Sequence, residues 1–358
     1  MTGLHFHPLK VRRIAPDTDE SILVSFDVPA ALRETFAFRP GQYLTLRGEI
    51  GGEDLRRSYS ICSGLDDGEL RVGIRKVGVF SNWVETTLET GDTIHVIPPQ
   101  GHFTLPAAQA DGRHVLGIAG GSGITPILAI MKTLLARERL SRFTLIYGNR
   151  RAASTMFKEE IEDLKNRYLT RLAIFAVFSQ EVMDSPLASG RLTRDKLGFM
   201  LRTLIAPQSI DHAFICGPFG FNEDAERALR EAGVEAERIH IERFGAPLPQ
   251  PADALKHEAR PEDAAQAKIV IIRDGLTREI AFGKNDPSIL DAAAAAGLDV
   301  PYSCKSGVCA TCRAKLLEGK VRMDRNFALE QHEVEAGFVL TCQAHPLTER
   351  VVVSYDER

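Results

Sequence analysis

Residues 113–138 read RHVLGIAGGSGITPILAIMKTLLARE. The first part is a continuous apolar run, as a strand buried on both faces requires. The second part spaces its apolar residues for a helix. Between them stand Gly120, Gly121 and Gly123, with Thr125 and Pro126 just beyond. Thr125 reads as the helix cap and Pro126 suits the first turn. The turn is not the G-x-G-x-x-G fingerprint. It still offers free N–H groups and the positive end of a helix to an anion such as a pyrophosphate, and glycines let the backbone come close. Packing alone also makes such corners glycine-rich, so this stretch on its own reads equally well either way.

Further along come the strand FTLIYGN, the helix ASTMFKEEIEDLKNRY, the strand LAIFAVFS, then HAFICGP followed by NEDAERALREAG. Strands alternating with helices predict a Rossmann-like α/β domain over 109–245. In such sheets ligands lie outside the carboxyl ends of the strands. Cys216, Gly217 and Pro218 form a second turn there. Cys216 is either an inert buried thiol or a neighbour of a nicotinamide ring. The second strand ends YGNRRAAS, with no acidic residue to hold a ribose 2′-hydroxyl. Arg150 and Arg151 suit the 2′-phosphate of NADPH; read as solvated surface arginines they leave NADH open.

The first hundred residues contain SILVSFDVP, GQYLTLRG, LRRSYSICS, ELRVGIRKVG and DTIHVIPPQG, short β-rich runs between turn residues. Their spacing predicts an antiparallel β-barrel over 1–108. Arg57 and Tyr59 share one strand face by the period of two, and Ser60 follows them. Ile74 and Arg75 end a later strand, and Gly78, Phe80 and Ser81 turn into a short helix, with Ser81 at its opening. That turn is a second anion site by the same physics. Residues 246–266, rich in Pro, Ala and charge, read as a linker. A third, α+β unit fills 267–358.

In that unit SCKSGVCATC, residues 303–312, holds Cys304, Cys309 and Cys312, and Cys342 follows in VLTCQA, read as a strand. The pattern C-x4-C-x2-C…C is that of a plant-type [2Fe–2S] site, in which three thiolates come from one loop. The alternative is a structural zinc site, but zinc loops more often pair two short knuckles. A cluster moves one electron at a time, whereas a nicotinamide gives two as hydride. A flavin is the cofactor that does both, which gives the barrel its task.

Together these residues resemble the ferredoxin–NADP reductase family. Arg57-x-Tyr59-Ser60 resembles its flavin motif and Gly78-x-x-Ser81 its flavin pyrophosphate turn. Gly120-Gly121-x-Gly123-x-Thr125-Pro126 and Cys216-Gly217-Pro218 resemble its nicotinamide nucleotide site. The variant with a C-terminal ferredoxin is the one that fits. The resemblance implies FAD, NADPH or NADH, a [2Fe–2S] cluster, a β-grasp ferredoxin domain, and a di-iron oxygenase component as electron acceptor. Reductases of ring- and steroid-hydroxylating systems share the layout. It places Tyr59, Ser60 and Cys216 at the hydride-transfer site, Ile74, Arg75 and Phe80 among the flavin contacts, and Phe244 near the flavin. Phe221 and Ala310 depart from it, standing where many relatives have Met and Gly. A second expectation keeps the cofactors but makes the chain a redox sensor whose cluster state governs partner binding.

A net charge of −4 without basic runs argues against nucleic acid or an anionic membrane as partner. MTGLHFHPLK has no apolar h-region, and no apolar run is long enough to span a bilayer. The expectation is a cytoplasmic protein whose thiols stay reduced, which favours metal or redox use of the cysteines.

Overall fold

The computed structural model describes residues 4–245, 260–283 and 285–357. It falls into two compact units. One is Phe6–Phe244; the other runs from Gly245 to the C-terminus and includes Leu4 and His5.

The first unit opens with β1 (His7–Thr18), β2 (Ser21–Asp27), β3 (Tyr43–Ile50), β4 (Glu53–Ser60), β5 (Leu70–Arg75), α1 (Val79–Thr87) and β6 (Thr93–Gln100). The strands form one antiparallel sheet in the order β4-β3-β6-β1-β2-β5. An antiparallel bridge between Ile61 and Val72 joins its two edges and closes the barrel, leaving few exposed strand groups. Leu9, Val24, Leu46, Val72 and Ile74 fill the interior. β1 is absent from the sequence reading. Its two prolines and three basic residues hide the strand, and its register breaks between Val11 and Arg13 and between Pro16 and Thr18.

Next come β7 (His114–Gly120), α2 (Ile124–Arg137), β8 (Arg142–Asn149), α3 (Lys158–Arg167), β9 (Leu172–Phe178), α4 (Arg194–Thr203), β10 (His212–Gly217), α5 (Phe219–Glu231) and β11 (Ile239–Arg243). All five strands are parallel, in the order β11-β10-β7-β8-β9. The strand order reverses between β7 and β10, which opens a crevice at their carboxyl ends. The barrel is fastened to this sheet by polar links. Asp17 accepts the Phe157 N–H at 3.0 Å, and Arg71 pairs with Glu160 at 2.8 Å. Lys132 reaches the same Glu160.

The second unit contains β12 (Gln266–Arg273), β13 (Leu276–Gly283), α6 (Ile289–Ala295), β14 (Arg313–Glu318), β15 (Val321–Met323), α7 (Gln331–Glu335), β16 (Phe338–Leu340), β17 (Ala344–Pro346) and β18 (Arg350–Ser354). Its main sheet runs β13-β12-β18-β14-β16, with β12 and β18 parallel, and β15 pairs with β17. Ser288 caps α6 by accepting the Asp291 N–H, and Ala292 and Ala293 pack into the core. Most of the linker expected at 246–266 lies outside the described residues. Its last part belongs to this unit: Asp263 pairs with Arg322, the Ala264 N–H donates to the Pro346 carbonyl at 3.0 Å, and β12 already begins at Gln266. No helix among the described residues is long and apolar enough to cross a membrane.

Candidate functional site

A cleft of about 310 Å³ opens where the barrel meets the parallel sheet. Arg57, Tyr59 and Ser60 of β4 line it, together with Arg75, Gly78, Phe80, Ser81, Thr125 and Phe244. These are nine of the residues expected at cofactors. The cleft also takes Ser58, Gly73, Val77, Val79 and Ser122, which no sequence motif singles out. Ile74 does not join them. Its side chain is fully buried in the barrel core, because alternation along β5 turns it inward. Ser81 does not open its helix either. Gly78 is the cap, and Ser81, one turn in, accepts the N–H groups of Val77 (2.9 Å) and Gly78 (3.0 Å). That bond shapes the turn and leaves space above Gly78, where no heavy atom lies within 4 Å of a Cβ position. Burial raises the Tyr59 phenol further above its already high range, so it stays protonated and can donate to a bound ring.

Thr125 is likewise not a cap. A 3-10 turn at Gly121–Gly123 precedes α2, so the helix begins at Ile124 and Thr125 donates to the Ser122 carbonyl at 3.0 Å. Pro126 is buried in the first helical turn, as expected. Gly121 takes φ +54° with open space over its Cα, a cradle that a side chain would fill. Gly120 abuts Pro218 and the Phe221 ring, so the two glycine turns meet across the β7/β10 crevice. The Phe221 ring also covers Gly217. Asn149, at the end of β8, is buried with its Nδ2 lacking a partner. An orphaned donor and an uncovered glycine turn at the carboxyl ends fit a dinucleotide. Arg150 and Arg151 follow and are exposed. Cys216 is fully buried, and burial pushes its thiol well up, so it remains neutral. Its register partner on β11 is Glu242, a residue with no role in the sequence reading; burial lifts that carboxyl to about 8.

Cys304, Cys309, Cys312 and Cys342 lie close enough in the second unit to act on one another's charge, Cys304 most strongly with Cys309 and Cys312 with Cys342. Two pairs are what two irons require. The Cys309 contact first, and the Ser306 N–H 3.3 Å from Cys304 Sγ, lower the Cys304 thiol, while that same contact and burial raise Cys309. The Cys304 N–H points at Cys309 Sγ (3.5 Å), and Gln343 Nε2 at Cys342 Sγ (3.5 Å). Such donors stabilise thiolate charge, so the set fits a cluster. Gln343 carried no signal in the sequence. Cys342 is in the turn after β16 rather than in a strand, since β16 ends at Leu340. Three loop residues take positive φ: Lys305 (51°), Gly307 (78°) and Ala310 (51°). Glycine adopts that conformation without strain, which explains why it suits the Ala310 position.

A closed barrel and a parallel sheet sharing a cleft, with a separate four-thiol unit, define an electron-transfer flavoprotein reductase. Residues 9–105 match the oxidoreductase FAD-binding domain, 118–227 the oxidoreductase NAD-binding domain, and 271–347 the 2Fe-2S iron-sulfur cluster binding domain. The chain belongs to the ferredoxin–NADP reductase family, in the branch with a C-terminal [2Fe–2S] domain, and is an NAD(P)H-dependent oxidoreductase. It is 45% identical to a component of the 1,2-phenylacetyl-CoA epoxidase of Escherichia coli (strain K12), over 99% of this chain and 98% of that one. The stretches YSCKSGVCATCRAKLLEGKVRMDRNFALE and EAGFVLTCQAHPLTERVVVSYD resemble a component of the same kind and lie within that match. It is 34% identical to the ferredoxin reductase component of 3-ketosteroid-9-alpha-monooxygenase of Rhodococcus rhodochrous, over 97% and 96%. Its fold is similar to that of phthalate dioxygenase reductase, with a TM-score of 0.56 and 21% identity over 98% of both chains.

Proposed function

We propose that this chain draws electrons from NADPH and delivers them to the di-iron oxygenase component of a phenylacetyl-CoA epoxidase in the cytoplasm, serving phenylacetate catabolism. The observation that carries this reading is the 45% identity to the Escherichia coli epoxidase component over nearly the full length of both chains. FAD bound in the barrel cleft turns a two-electron donor into the single electrons that a [2Fe–2S] cluster accepts.

The residues divide the work. Arg57 and the Gly78–Ser81 turn hold flavin phosphate, while Tyr59, Ser60 and Phe80 hold the ring and its edge. Ile74 contributes backbone only. Gly120, Gly121 and Gly123, at the start of α2, hold the nucleotide pyrophosphate, with Thr125 and Pro126 fixing that turn. Cys216, Gly217 and Pro218 would shape the nicotinamide side, and Phe244, which lines the cleft, would cover the flavin. Arg150 and Arg151 receive the 2′-phosphate. Cys304, Cys309, Cys312 and Cys342 bind the irons. No side chain needs to act as general acid or base on an organic substrate; positioning is the catalytic contribution.

The test is reconstitution. The purified reductase is mixed with a phenylacetyl-CoA epoxidase oxygenase component, NADPH and phenylacetyl-CoA, and the epoxide is measured. A parallel mixture contains a 3-ketosteroid 9-alpha-hydroxylating oxygenase, the acceptor suggested by the 34% relative. Epoxide formation with NADPH supports the reading. Turnover only with the steroid enzyme overturns the acceptor, and protein without bound flavin or acid-labile sulfide overturns the electron path.

A further inference from the structure

Phe244 follows β11 directly and lines the flavin cleft, where it is 46% exposed. A ring at the end of a strand stays in place only if the strand end is held. β11 lies at the edge of its sheet, paired with β10, and their ladder stops at Gly217 and Arg243. The chain of β10 continues with Pro218, which has no N–H to carry the ladder on. The helix that follows, α5, supplies the remaining hold.

The first turn of α5 grips both residues ahead of Phe244. Asn222 Nδ2 donates to the Glu242 carbonyl at 3.0 Å. Glu223 Oε1 lies 3.1 Å from Arg243 Nη2, and the Arg243 guanidinium sits 5.8 Å from the centre of the Phe219 ring. The same turn carries Phe221, which packs on Gly120 and Gly217 at the nucleotide corner. One helical turn therefore touches both the glycine corner and the root of Phe244.

Asn222 is a poor choice for packing alone. It is fully buried, and its Oδ1 has no hydrogen-bond partner among the described residues. A leucine of similar size would avoid that unsatisfied acceptor. A buried amide kept at such a cost calls for a reason other than stability, and the bond to Glu242 supplies one.

We propose that Asn222 is a positioning residue. Its bond to the Glu242 carbonyl, seconded by the Glu223–Arg243 pair, holds the end of β11 so that Phe244 stays in the flavin cleft. Phe244 then yields its place to a nicotinamide only against that hold, which weakens nucleotide binding. This rests on the reading of Phe244 as the residue that covers the flavin.

The experiment uses the full-length holoprotein with Asn222→Leu, Glu223→Gln, Phe244→Ala and the Asn222→Leu/Phe244→Ala double. Titration of the visible flavin spectrum gives Kd for NADP+ and NAD+, ferricyanide reduction gives KM and kcat, and thermal midpoints are measured beside them. Asn222→Leu is expected to lower Kd and KM roughly 2- to 10-fold, the worth of one hydrogen bond, with a smaller change in kcat and a shifted flavin spectrum. Its thermal midpoint should stay near wild type. Glu223→Gln should move Kd the same way by less, because its ion pair is partly exposed. In the Phe244→Ala background Asn222→Leu should have no further effect. An unchanged or raised Kd in Asn222→Leu, or the same effect with and without Phe244, overturns the role of Asn222; a lowered Kd in Phe244→Ala still upholds the reading of Phe244. If Asn222→Leu does not fold, an unchanged Kd in Glu223→Gln overturns the proposal. An unchanged Kd and flavin spectrum in Phe244→Ala overturn the reading of Phe244 and this proposal with it.

Discussion

Gly123 stands directly against the backbone of Cys216. A Cβ on Gly123 would lie 2.0 Å from the Cys216 carbonyl oxygen and 2.8 Å from the Gly217 nitrogen. Two glycine motifs nearly a hundred positions apart in the chain are thus one packed corner. Gly123→Ala must push β10 away from the start of α2, at a cost of about 1–3 kcal/mol of packing strain. Loss of NAD(P)H affinity by about tenfold or more is expected, with flavin retained. Titration of flavin absorbance with NAD(P)H under anaerobic conditions measures it.

Cys342→Ala removes one thiol of the Cys312–Cys342 pair. The visible absorbance of the iron–sulfur centre should disappear along with electron delivery to a protein acceptor. Dye reduction at the flavin should persist, because the four cysteines and the flavin cleft belong to separate units. Iron and labile-sulfide analysis beside a ferricyanide assay reads both.

Ala310 holds φ 51°, a conformation in which its Cβ is strained. Ala310→Gly should stabilise the C-terminal unit by about 0.5–1 kcal/mol, the relief being partly offset by the freer unfolded chain. The temperature at which the cluster absorbance is lost should rise.

His114 lies buried in β7, within 2.9 Å of Ser209 Oγ and 2.8 Å of Thr144 Oγ1. Burial first, then the charge of Arg142, lowers it from 6.5 to about 4. Between these values the unfolded chain binds a proton that the folded chain refuses, so stability is lost as pH falls through that window. The loss by pH 4 should be roughly 1–3 kcal/mol. His114→Gln should be less stable at pH 7 but lose less between pH 7 and 4.5, as read from thermal midpoints of the Phe6–Phe244 unit.

The chain order of barrel, parallel sheet and four-thiol unit was determined by the sequence itself. Those features are local: a period of two, apolar runs with helical spacing, and cysteines crowded in one loop, each repeated within a few residues of chain. The same locality made Arg57, Tyr59 and the cysteine spacing legible. The strand β1 escaped because Pro8, Pro16 and its bulges break the local pattern, and only pairing with β2 and β6 makes it a strand. Caps were misplaced at Ser81 and Thr125 because a 3-10 turn or a shift of two or three residues in helix start is settled by what the turn packs on. Asn222 at Glu242, Glu242 at Cys216 and Gln343 at Cys342 required tertiary structure, for one of two reasons. The first two act on residues far away in sequence, which only strand pairing and the packing of α5 against β11 bring within reach. Gln343 is a chain neighbour whose amide is aimed at sulfur only by the turn after β16.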